Sequence, residues 1–70
     1  MSTGGERKSG PARDVELAER IRRRLVERAL DAYEDARMQG LCAEGAFEAA
    51  VSALRTLDVG ALVEEANGER

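Results

Sequence analysis

The chain has 70 residues, with one cysteine, no histidine, eleven basic and fourteen acidic side chains, and a net charge of −3. That length holds one domain at most, with a thin core of the kind that small chains supplement with disulfides, metals or a partner subunit. One cysteine excludes an internal disulfide, and one cysteine without histidine excludes a zinc site, which leaves association with another chain.

The charge is unevenly spread. Residues 1–28 carry eight basic and five acidic groups, a net of +3, while residues 29–70 carry three basic and nine acidic groups, a net of −6. Such asymmetry suggests pairing between unlike ends of neighbouring chains. No apolar run approaches the roughly 20 residues of a membrane span. The N-terminus lacks the apolar region of a signal peptide, so a cytoplasmic location is expected, with no membrane and no cofactor.

Residues 1–13, "MSTGGERKSGPAR", hold no large apolar side chain apart from Met1 and read as a disordered tail. Pro11 is not tolerated inside a helix and Asp14 is a good N-cap, so the spacing predicts a helix over about 14–44. Its apolar face runs through Ala18, Ile21, Leu25, Val26, Ala29, Leu30, Ala32, Tyr33, Ala36, Gly40 and Ala43. Glu16–Arg20 and Glu19–Arg23 are spaced for i,i+4 ion pairs. Asp31, Glu34 and Asp35 fall on the polar side, as solvated carboxylates.

The second half of this face is a seam of small residues that admits a close neighbour, with Gly40 as a packing position inside the helix. The first half is bulky: Leu17, Ile21, Leu25, Val26 and Leu30, with Arg22 near its centre. Burying such side chains contributes about 1.5–3 kcal/mol each, and left bare they form an association site. Leu17, Ile21, Arg22, Leu25, Val26 and Leu30 are therefore the expected oligomer or partner interface.

Gly45 is read as the turn. Phe47, Ala50, Val51, Leu54, Leu57 and Ala61 then recur with helical spacing, which predicts a second helix over about 46–58. Asp58 and Gly60 mark either a kink or the cap of a short third helix over 59–66, with residues 68–70 as a tail. The domain thus covers residues 14–67. Cys42 sits near the end of the first helix, where the dipole disfavours a thiolate, and reads as a small apolar filler.

The segment "AEGAFEAA", with Gly45, Phe47 and Ala50 at its key positions, resembles the turn of a tetratricopeptide-type helix-turn-helix over residues 32–57. The resemblance implies an antiparallel helical hairpin packed at those three residues. A single copy does not imply a peptide-binding superhelix, since such arrays need about three repeats.

The expected fold is therefore all-α: an antiparallel helical hairpin, completed as a dimeric helical bundle. The expected function is a small non-catalytic interaction module, a regulator, adaptor or accessory subunit, acting as a homodimer or with a larger protein. The alternative is nucleic-acid binding through Arg20, Arg23, Arg24 and Arg28. Glu16, Glu19 and Glu27 interleave with these arginines and no aromatic stands beside them for base stacking, which favours a solvated, ion-paired face.

Overall fold

The computed structural model describes residues 4–69, with side chains from Arg13 onward. Three helices follow one another: α1 (Gly4–Met38), α2 (Ala43–Thr56) and α3 (Val59–Gly68). Helix α1 packs against α2 as a hairpin, and α3 folds back onto α1. The molecule is elongated, 56 × 23 × 16 Å.

Two boundaries of the first helix differ from expectation. It starts at Gly4, so both Pro11 and Asp14 lie within its span, and Asp14 is not its cap. Proline lacks the donor that would reach the fourth carbonyl before it, a local loss of about 3 kcal/mol. The expected tail falls partly outside the described residues: 1–3 are not described, and 4–12 only in their backbone. At the other end, α1 stops at Met38, not near residue 44.

Gly40 explains that stop. Its φ is +100°, the left-handed region that glycine enters without a Cβ penalty. The Leu41 N–H donates to the Ala36 carbonyl at 3.0 Å and the Gly40 N–H to that of Arg37 at 2.9 Å. These are the two bonds of a Schellman cap, which satisfies the last carbonyls of α1. Gly40 is therefore the bend itself and not a packing position inside a helix. A Cβ there would meet no atom within 4 Å, so its only penalty is backbone strain. Gly40→Ala is expected to lower stability by about 1–2 kcal/mol in a urea titration; an unchanged midpoint would contradict the assigned cap.

Gly45, expected as the turn, lies in the first turn of α2. A Cβ there would stand 3.5 Å from Leu41 Cδ2, an ordinary contact, so nothing at this position requires glycine.

Helix α3 is a separate element, which settles the alternatives left open around Gly60. The Asp58 carboxylate accepts from the Ala61 N–H at 3.1 Å and breaks the path from α2. Gly68 belongs to α3, Glu69 is its C-cap, and Arg70 lies outside the described residues.

The core is small. Among the described residues, only Ala36, Ala46, Leu62 and Ala66 are buried. Ala36 and Ala46 are the buried residues of α1 and α2, on the small-residue seam, with Ala29 and Ala32 half-buried along it. Leu62 and Ala66 anchor α3. Among the described residues no large side chain is fully enclosed. No helix of the described residues is long and apolar enough to cross a membrane.

Candidate functional site

The arginine-rich stretch of α1 is held by α3. Arg20, Arg24 and Arg28 recur every four residues and share one line on the helix surface. Arg20 Nε donates to the Ala66 carbonyl at 2.9 Å. That carbonyl lies in the last turn of α3, where orphan acceptors and the negative dipole end favour a cation. Arg24 Nε donates to Glu69 at 2.9 Å and its Nη1 to Glu65 at 3.2 Å, while Arg28 Nη2 reaches the same Glu65 oxygen at 3.4 Å. Arg23 stands 3.8 Å from Glu69. These groups are half-exposed, so each ion pair contributes only about 0.2–1 kcal/mol. Together they fix where α3 lies on α1.

This arrangement revises two expectations. The pairs Glu16–Arg20 and Glu19–Arg23 do not form, because Arg20 and Arg23 turn instead to α3. The opposite charges of the two halves of the chain also meet within one molecule, where they had been expected between molecules. A guanidinium offers several donors and prefers a carboxylate or free carbonyl brought to it over a flexible neighbour on its own helix.

The six residues expected as one interface are divided by α3. Leu17, Ile21 and Leu25 are half-buried, while Arg22, Val26 and Leu30 are exposed. Arg22 pairs with Glu19 at 3.4 Å and projects into solvent, not along the core. Asp31, Glu34 and Asp35 are exposed, and Asp35 accepts from the side chain of Gln39 at 2.8 Å.

Val26 and Leu30 each lie two residues beyond an α3-bound arginine, a rotation of about 200° at 3.6 residues per turn, and so project from the side of α1 away from α3. Each also follows a half-buried residue of the seam, Leu25 or Ala29; Tyr33 likewise follows Ala32. On α2, Phe47 follows the buried Ala46 and Leu54 follows Ala53. In an antiparallel pair of right-handed helices, the residues following the two facing seams fall on one common side. The hairpin therefore has a closed side under α3 and an open side carrying Val26 (50% exposed), Leu30 (55%), Phe47 (63%) and Leu54 (37%), with Tyr33 and Ala50 half-buried among them. Phe47, expected to pack in the hairpin turn, is thus mostly exposed, while Ala50 keeps a half-packed place.

Sequence reasoning missed Phe47 and Leu54 as members of this face. Their spacing was visible, but it was assigned to the contact with α1. The contact is in fact made by the alanines one residue earlier.

Cys42 is placed differently from its expected position. It is the N-cap of α2, exposed, and its Sγ accepts from the Gly45 N–H at 3.5 Å. The Gly45 and Glu44 amides lower its thiol pKa, with a smaller contribution from Arg37. The local dipole has the opposite sign to that at the end of α1 and favours the thiolate. A lowered folded-state pKa gives a stabilisation that is present above the ordinary thiol pKa and is lost as pH falls through the lowered value. Iodoacetamide at pH 7.5 is accordingly expected to alkylate Cys42 faster in the folded protein than in urea. A slower folded-state rate would contradict the cap.

Among the described residues, no group of three or more histidines, cysteines or carboxylates is placed to hold a metal ion, and none of the buried residues is polar or charged. No family model, curated protein or solved structure matches this chain. The fold defines its class: an all-α helical hairpin with a short third helix packed on its long arm.

Proposed function

We propose that this chain is a small non-catalytic protein–protein interaction module, a cytoplasmic regulator, adaptor or accessory subunit, that works through the open side of its hairpin. The observation that carries this reading is the row of large apolar side chains on that side, Val26, Leu30, Phe47 and Leu54, left bare while α3 covers the other. Contiguous apolar surface beyond a few hundred Å² is rare on monomeric proteins and marks sites of association. The free, exposed thiol of Cys42 is compatible with a reducing compartment.

Nucleic-acid binding through Arg20, Arg23, Arg24 and Arg28 draws no support from this geometry, because all four groups are turned to α3. Phosphates would have to displace Glu65 and Glu69 first.

The test is capture from native cell extract on the immobilised chain. The wild type is expected to retain a specific protein, Leu30→Glu to lose it, and the double variant Arg23→Gln/Arg28→Gln to keep it. Capture that is indifferent to Leu30→Glu but lost in the arginine variant would overturn the reading.

A further inference from the structure

We infer that α3 is a releasable strap: its carboxylates latch it to the arginine row of α1, a rise in ionic strength opens it while the α1–α2 hairpin stays folded, and opening uncovers Leu17 and Ile21. The inference stands apart from the proposed interaction function, which uses the other side of the hairpin.

The two contacts of α1 are built from different chemistry. Its contact with α2 is the seam of small apolar residues, with Ala36 and Ala46 buried in it. Among the described residues, no ion pair and no side-chain hydrogen bond joins α1 to α2, and every ion pair between helices joins α1 to α3. There Arg24 is shared by Glu65 and Glu69, Arg28 reaches the same Glu65 oxygen, and Arg23 stands near Glu69. Only Leu62 and Ala66 add buried apolar contact, while Val59 and Val63 of the same helix stay 68% and 37% exposed. Salt separates the two chemistries. Half-exposed ion pairs are screened as the Debye length falls from about 10 Å at 0.1 M to about 3 Å at 1 M, and apolar burial is not.

Helix α3 is also able to move by itself. Among the described residues it packs against α1 and not against α2. It joins the hairpin through Leu57 and Asp58, both extended, where the path from α2 breaks. A swing about that pair leaves the α1–α2 seam in place. Ten residues are too few to hold a helix alone in water, so the released segment loses its amide protection.

What the strap covers follows from the length of α2. Its fourteen residues run back along α1 from Met38 only to about residue 25, since both helices rise about 1.5 Å per residue. Leu17 and Ile21 lie beyond that reach, so their partial cover comes from α3. The cover is loose at its end, where an open cleft of about 550 Å³ is lined by Arg13, Leu17, Arg20, Asn67 and Glu69. Water and ions therefore reach the latch from that end.

Native-state hydrogen exchange of the wild type in sodium chloride tests this and needs no variant. The α3 amides, read against those of α2 in the same sample, are expected to exchange about tenfold faster at about 1 M than at about 0.05 M, with α2 changing less than about twofold. Arg24→Gln removes the arginine that both carboxylates share. It should speed α3 exchange about tenfold at low salt and shrink the salt response below about threefold. A merely structural role for Arg24 would speed exchange and leave the salt response at its wild-type size. Exchange of α3 that ignores salt, loss of protection in α2 and α3 together, or a wild-type salt response in Arg24→Gln would each overturn the inference.

Discussion

Leu62→Ala is expected to release α3 from α1 while leaving the α1–α2 hairpin in place. Leu62 is only 2% exposed and is the one large side chain among the buried residues. Truncating a buried leucine costs about 2–5 kcal/mol. Helix α3 has ten residues, too few to persist alone, since isolated helices below about 12–15 residues are marginal in water. The half-exposed ion pairs to Glu65 and Glu69 are too weak to hold it without the anchor. Hydrogen exchange resolves the outcome by element: the α3 amides should lose protection and those of α2 should keep theirs. Protection of α3 at wild-type levels would contradict the anchoring role of Leu62.

Ala46→Leu should act on the other contact. Ala46 is fully enclosed where α2 meets α1, and extra methylenes in a tight seam cost about 1–3 kcal/mol by forcing backbones apart. In a domain of this size each kcal/mol lowers Tm by roughly 4–8 °C. Thermal unfolding followed by circular dichroism should therefore shift down by about 4–24 °C. An unchanged or raised Tm would mean that the helices do not approach closely at Ala46.

The architecture was largely legible in the residues, and the reasons can be given element by element. The apolar period of α1, the second period from Phe47 onward and the capping aspartate at Asp58 are local signals, and local signals decide helices. The bend was misplaced by one glycine. Gly45 and Gly40 look alike in sequence, but only Gly40 follows a complete helical run with Arg37 in its last turn and Leu41 just after it, the pattern of a helix C-cap. That choice also decided Cys42. Placed before the bend it is a filler in a chain end that repels thiolates, and placed after the bend it is the cap of α2.

The side on which α3 lies was not legible. Arg20 meets Ala66 across 46 residues and Arg24 meets Glu69 across 45. No periodicity within a helix reports such a pairing. The excess of positive charge in the first 28 residues and of negative charge in the rest was its only trace, and charge balance alone does not distinguish a fold-back within one chain from a contact between two. Once α3 is placed, the expected interface is cut in two. Leu17, Ile21 and Leu25 are partly covered, Val26 and Leu30 are not, and Phe47 and Leu54 join the uncovered part.

The central claim is that the hairpin has one side closed by its own third helix and one side kept for a partner. Residue-resolved hydroxyl-radical footprinting of the wild type, alone and in complex with the protein it captures from extract, tests it most directly. Val26, Leu30, Phe47 and Leu54 should become protected together, while Met38 and Val59, both exposed and off the face, stay labelled. Labelling of those four residues that tracks Met38 both alone and in the complex would contradict the account.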